Sequence, residues 1–153
     1  ESLLQGRKVD YERVDISTPE GAQHGVRRYP SILVGNDSAV GGKFEIIGAL
    51  AKNLGPEVLS RSERLAMQNH FDDDGRAIVV MYGTDWCAFC KKQREFFASN
   101  DIPFIELDPE KSNAAKTAYT ILQGNGYPLT YVGYQRFDGY KASEIKDAVA
   151  AIR

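Results

Sequence analysis

Trp86-Cys87-Ala88-Phe89-Cys90 contains the only two cysteines of the chain. On a helix, residues three positions apart share a face, so both sulfurs point the same way. A pair of this kind supports thiol–disulfide exchange, or supplies half of a tetrahedral zinc site. Zinc needs four ligands. The remaining nitrogen candidates, His24 and His70, lie in other segments, and there is no second paired motif. Thiol exchange is therefore favoured over zinc and over inert, structural cysteines.

The elements that must position these thiols are legible around them. Ile78-Val79-Val80-Met81-Tyr82 is an apolar run of strand length, and Gly83-Thr84-Asp85 breaks it. From Cys87 the pattern becomes helical, with Phe89, Phe96 and Phe97 apolar and Lys91, Lys92, Gln93, Arg94 and Glu95 between them. A thiol at a strand-to-helix junction faces free backbone N–H groups and the positive end of the helix dipole. Both favour the thiolate, which is the reactive form. Bringing a thiol pKa from ~8.5 to ~6.5 corresponds to roughly 2.7 kcal/mol of thiolate stabilisation. Lys91 and Lys92 add to that effect and Asp85 opposes it. Trp86 and Phe89 are expected as partly exposed rims of the site. Tyr82, Phe96, Phe97 and Phe104 are expected in the core, with His24 and His70 on the surface.

The bulk numbers narrow the class. The chain has 153 residues, 42% hydrophobic and 26% charged, with a net charge of −2. These values are ordinary for a globular protein. No basic patch invites nucleic acid or an anionic membrane, and no apolar run reaches the roughly 18 residues of a spanning helix. No signal peptide is present, and the first residue is Glu1, so a longer natural N-terminus is expected. The expected compartment is the cytoplasm, with the periplasm as alternative. Asp72-Asp73-Asp74-Gly75 reads as a solvated turn in preference to a cation site.

The chain also repeats itself. Residues 9–15 resemble 102–108 at an offset of 93, and Tyr29-Pro30 to Gly35 resembles Tyr127-Pro128 to Gly133 at an offset of 98. Gln123-Gly124-Asn125-Gly126 supplies most of the five-residue difference. The second copy predicts strand 76–82, helix 88–99, strand 103–108, helix 110–122, strands 129–133 and 135–138, and helix 142–152. The first copy predicts strands at 10–15 and 31–35 and a helix at 44–54. It lacks an opening strand and most of a first helix. Three segments result: 1–54, a linker at 55–75 with a helix over 56–71 whose apolar face is Val58, Leu59, Leu65, Met67 and Phe71, and 76–153.

Residues 76–153 resemble the glutaredoxins, and the glutaredoxin-like redoxins that serve ribonucleotide reductase, within the thioredoxin-fold superfamily. The residues that carry the likeness are Val80-Met81-Tyr82 before Trp86-Cys87-Ala88-Phe89-Cys90, Ile102-Pro103-Phe104 before Asp108, Tyr127-Pro128 and Gly139. Residues 1–54 resemble the later part of a second such domain without its cysteines. The implied fold class is α/β: a thioredoxin-like three-layer α/β/α sandwich on a mixed four-stranded sheet, in tandem, with the first copy incomplete. Its vacant slot would be filled by a longer N-terminus, by a homodimer or swapped partner, or by a neighbouring segment.

The implied activity is dithiol–disulfide exchange on protein or glutathione mixed disulfides. Cys87 is the expected nucleophile and Cys90 the thiol that resolves the mixed disulfide. The resemblance further implies a cis Tyr127–Pro128 bond against the cysteines, with Trp86, Phe89, Tyr127, Pro128, Gly139 and Tyr140 as substrate-binding residues. No bound cofactor and no metal are expected, and glutathione is a candidate co-substrate. Glutaredoxins carry a Lys ahead of the first cysteine and a Gly-Gly-x-Asp turn; here stand Gly83-Thr84-Asp85 and Phe137-Asp138-Gly139-Tyr140-Lys141. A thioredoxin-reductase-like donor is the competing source of electrons. The alternative function is a tandem binding module that holds a client protein, with the thiols secondary.

Overall fold

The computed structural model describes residues 2–26, 28 and 31–153. The chain divides into two compact units, Glu1–Ser60 and Arg61–Arg153. The boundary falls inside the segment expected as a 55–75 linker, which is thus shared between the units.

The first unit contains α1 (Ser2–Gln5), α2 (Pro19–Ala22), β1 (Ser31–Val34), β2 (Asp37–Val40), α3 (Lys43–Leu54) and a 3-10 turn at Pro56–Val58. Phe44, Ile47, Leu50 and Ala51 recur at helical spacing in α3 and are buried. Residues 10–15, expected as a strand, form none. A strand needs a ladder partner, and among the described residues the sheet of this unit is the β1–β2 hairpin alone. Tyr11 and Val14 accordingly stay exposed. The Tyr29-Pro30 pair lies outside the described residues.

The second unit contains α4 (Arg61–Met67), a 3-10 turn at Gln68–His70, β3 (Val79–Tyr82), α5 (Ala88–Ser99), β4 (Ile105–Leu107), α6 (Asn113–Ile121), β5 (Leu129–Val132), β6 (Gln135–Asp138) and α7 (Ala142–Ile152). The sheet order is β4-β3-β5-β6. β3 runs parallel to β4 and antiparallel to β5, and β6 closes the sheet as an antiparallel hairpin with β5. All four residues of β3 are buried, as a central strand covered on both faces requires. On one face, Val79 and Met81 pack with Cys90 and Phe97 of α5 and with Ile145, Ala148 and Val149 of α7. On the other, Tyr82 meets Tyr119 of α6 and His70 stacks on Tyr131. This is the thioredoxin-like three-layer arrangement. Among the described residues no helix is long and apolar enough to cross a membrane.

Helix α6 begins three residues later than the sequence suggests. Asp108 forms a turn by accepting the Glu110 N–H at 2.8 Å, and Ser112 then caps the helix by accepting the Ala115 N–H at 3.3 Å. The helix predicted over 56–71 is broken into the two 3-10 turns and α4. Its buried positions are Val58, Leu59, Glu63, Ala66, Met67 and His70, while Leu65 is exposed. His70, expected on the surface, is fully buried. Its Nε2 pairs with the Tyr82 hydroxyl at 3.1 Å and its ring stacks on Tyr131 at 4.2 Å, so both its polar and aromatic character are used inside.

The two hairpins match residue for residue. β1–β2 pairs Ser31 with Val40, and β5–β6 pairs Leu129 with Asp138, a displacement of 98 residues (129 − 31). Gly35 and Gly133 hold the corresponding turns at φ +59° and +57°, a region that favours glycine.

Candidate active site

The thiol pair sits where β3 gives way to α5. Cys87 is the N-cap of α5, in extended conformation, and its Sγ accepts the Cys90 N–H at 3.1 Å. An N-cap side chain normally satisfies one of the free N–H groups of the first turn with oxygen; here sulfur does so. Cys87 and Cys90 are joined as a disulfide, with Cα atoms 5.2 Å apart. Cys87 is 6% exposed and Cys90 is sealed at 0%.

The loop that carries Cys87 is tied down behind it. The Cys87 N–H donates to Thr84 O, and Arg94 Nη2 donates to the same carbonyl at 2.9 Å. Arg94 is itself held by Glu106, at 2.8 Å from Nη2 to Oε1. Asp85, whose charge opposes a thiolate, is paired with Lys111, and that hydrogen bond and charge hold its carboxyl below the usual range. Lys111 also lies 3.7 Å from Asp108.

Cys87 opens onto a cleft of about 510 Å³. Trp86, Ala88 and Phe89 form one side, and Tyr119, Gly124, Asn125, Gly126 and Tyr127 the other. Trp86 and Phe89 are 69% and 56% exposed, which makes them rims as expected from the sequence. Trp86 Nε1 donates to Glu110 at 3.0 Å, and its ring meets Tyr127 edge-on at 6.0 Å. Burial comes first in raising the Tyr127 hydroxyl pKa, followed by Tyr119 and then the carboxylates of Glu110 and Asp108.

The Tyr127–Pro128 bond is cis, and Pro128 is buried at the start of β5. Gly139 N–H donates to Pro128 O at 2.9 Å, so Gly139 anchors the proline from the far side of the hairpin. Neither Gly139 nor the exposed Tyr140 lines the cleft. Of the residues expected to bind substrate, Trp86, Phe89 and Tyr127 are gathered beside Cys87, Pro128 lies behind them, and Gly139 and Tyr140 stand apart from the cleft.

Tyr119 and the Gly124-Asn125-Gly126 loop were not anticipated as part of the site. The Tyr119 ring stacks on Tyr127 at 5.0 Å, and its hydroxyl donates to Gly126 O at 3.0 Å. A Cβ at Gly124 would fall 2.2 Å from the Tyr119 ring, so a glycine is required there for the ring to lie against the loop. The signal available in the sequence was a glycine-flanked loop directly ahead of Tyr127, with an aromatic residue one helical face upstream. Among the described residues no group of three or more His, Cys, Asp or Glu is placed to hold a metal ion.

No protein-family model and no curated protein matches the chain. Several solved structures are similar over part of it. The thioredoxin-like protein BC3987 is 18% identical with a TM-score of 0.43, over 46% of this chain and 97% of that one. The glutaredoxin from Archaeoglobus fulgidus is 24% identical with a TM-score of 0.42, over 50% of this chain and 89% of that one. A buckwheat glutaredoxin, solved in complex with glutathione, is 11% identical with a TM-score of 0.44, over 61% of this chain and 89% of that one.

Proposed function

We propose that the chain is a glutaredoxin-like dithiol–disulfide oxidoreductase acting through Cys87 and Cys90. The observation that carries this reading is the sulfur of Cys87 at the N-cap of α5, hydrogen-bonded by the Cys90 N–H and opening onto a cleft beside cis-Pro128. In the reduced protein the same N–H and the helix dipole stabilise the Cys87 thiolate. That thiolate attacks one sulfur of a substrate disulfide; a mixed disulfide forms, and the other substrate sulfur leaves as a thiolate and takes a proton from solvent. Cys90 then loses its proton and attacks the Cys87 sulfur. The second substrate thiolate leaves and is protonated, and the Cys87–Cys90 disulfide forms. The substrate has gained two electrons and two protons. A thiol or dithiol donor, glutathione or a flavin reductase, restores the pair by the same exchange in reverse.

The experiment is a pair of serine variants. Cys87→Ser abolishes disulfide reduction, and Cys90→Ser accumulates a covalent adduct visible by intact mass. Undiminished turnover in Cys87→Ser ends this reading. We infer in addition that Glu1–Ser60 is an incomplete second copy of the same fold. The support is the β1–β2 hairpin, which shares the register of β5–β6 at an offset of 98, followed in both units by an amphipathic helix.

A further inference from the structure

The cleft that receives Cys87 has an unusual lining. Three of its side chains are large aromatic groups in mutual contact: Trp86 meets Tyr127 edge-on, and Tyr127 stacks on Tyr119. A fourth, Phe89, stands exposed on the Cys87 side. No charged side chain is among the lining residues. Lys92 Nζ lies 5.4 Å from the centre of the Phe89 ring. The rim bears acid: Glu110 accepts the Trp86 N–H, and Glu110 and Asp108 both act electrostatically on the Tyr127 hydroxyl. Lys111 bridges Asp85 and Asp108, leaving Glu110 outside that bridge.

These features select a class of substrate. A glutathione moiety brings two carboxylates, which need cationic or backbone N–H partners once they leave water. No lysine or arginine lines the cleft; Lys111 on the rim is engaged by Asp85 and Asp108, and Arg136, which acts electrostatically on Tyr119, is held by Asp138 and the Leu122 carbonyl. A neutral ring fits on every count: it stacks or packs edge-on against Tyr127 and Tyr119, and it gives up no hydration of charge. The wall is also fixed in advance. The Tyr119 hydroxyl is bonded to Gly126 O, and the ring lies against Gly124, so little ordering is left for binding to accomplish.

We propose that this cleft is a side-chain subsite for an aromatic residue next to the reacting cysteine of a protein disulfide, and that the preferred substrate is such a protein cystine in place of a glutathione mixed disulfide. The proposal rests on the thiol-exchange reading and names its substrate class. Tyr119 is the specificity-determining residue, since it is the part of the wall contributed by a helix away from the thiols.

The test uses the full chain, reduced with dithiothreitol and freed of it. Single-turnover rates are measured against a set of short peptides, each linked through one cysteine to 2-mercaptoethanol and differing only in the adjacent residue: Trp, Gly or Asp. Glutathione disulfide is run beside them. The expected order is Trp, then Gly, then Asp, with Trp over Gly by about tenfold, the worth of one good aromatic contact. In Tyr119→Ala the Trp-to-Gly ratio falls to within about twofold of one, whereas Tyr119→Phe, which keeps the stacking ring, retains most of it. Taking the ratio within each variant cancels any general loss from a loosened fold. Equal rates for Trp, Gly and Asp overturn the subsite and leave thiol exchange standing. So does a faster reaction with glutathione disulfide than with the Trp peptide. Failure to reduce any of these disulfides overturns both readings.

Discussion

The amide hydrogen of Cys90 points at the sulfur of Cys87 across the first turn of α5, at 3.1 Å from nitrogen to sulfur. Once the disulfide is opened, the same donor faces whichever charge the sulfur carries. It favours the anion, and so does the helix terminus. Alkylation of the reduced protein by iodoacetamide should therefore reach half its maximal rate at a pH below the ordinary thiol value of about 8.5. The reacting site, mapped by peptide mass, should be Cys87. A half-maximal pH at or above the ordinary value would remove the premise of the mechanism.

His70 gives the protein an acid-sensitive core. Burial lowers its pKa from 6.5 to about 3. The unfolded chain takes up the proton near 6.5, and the folded protein refuses it until far lower pH. This contribution to stability is thus complete above 6.5 and is lost as pH falls from there towards 3. Between pH 7 and pH 5, where most carboxylates stay ionised, the loss amounts to roughly 2 kcal/mol. Urea midpoints at the two pH values measure it, and the difference should shrink sharply in His70→Phe. An unchanged slope in that variant would assign the pH dependence elsewhere.

Arg136 ties β6 to the end of α6. Its Nη1 donates to Leu122 O at 2.6 Å and to the Tyr131 hydroxyl at 3.2 Å, while Nε pairs with Asp138 at 2.8 Å. The Arg136 side chain is only 6% exposed and its bonds to Leu122 O and Tyr131 are part-buried, whereas Asp138 is 46% exposed. Arg136→Ala leaves the Leu122 carbonyl without this donor, at an expected cost of about 2–4 kcal/mol in chemical denaturation. Arg136→Lys recovers only part of that, because an ammonium cannot reach the same fork of acceptors. Wild-type stability in Arg136→Ala would count against the tie.

Gly124 and Tyr119 should be coupled. Gly124→Ala drives a methyl group into the Tyr119 ring and should cost about 1–3 kcal/mol. In a Tyr119→Ala background the same substitution should be close to neutral, since the obstacle is gone. A double-mutant cycle measures the difference directly. Additive effects would mean that the ring and the loop do not bear on each other.

Much of the site could be read from the sequence because its signals are local. The change from strand to helical spacing at Cys87 predicts α5 over 88–99, the span observed. The exposed rims at Trp86 and Phe89 follow from their flanking position. The parts that stayed hidden depend on tertiary pairing. Tyr119 joins the cleft only because α6 packs on the Tyr82 face of the sheet, which no short window of sequence reveals. Gln123-Gly124-Asn125-Gly126 reads as spare length between two copies, whereas it forms a wall of the cleft. His70 was misplaced because two of the six buried positions of its segment, Glu63 and His70, are polar and mask the helical period. Residues 10–15 resemble 103–108, which contain β4, but that likeness does not supply a neighbour to pair with.

The enclosure of Cys90 fixes the order of events at this centre. An oxidant or alkylating reagent arriving from solvent can reach one sulfur alone, so chemical damage should accumulate on Cys87 and leave its neighbour intact. Cys90 is chemically addressed only from within, by the sulfur three residues before it. In the exchange proposed above, Cys87 is the single port for electrons and Cys90 a private reserve behind it, so that a covalently docked partner would be dismissed without any third molecule entering.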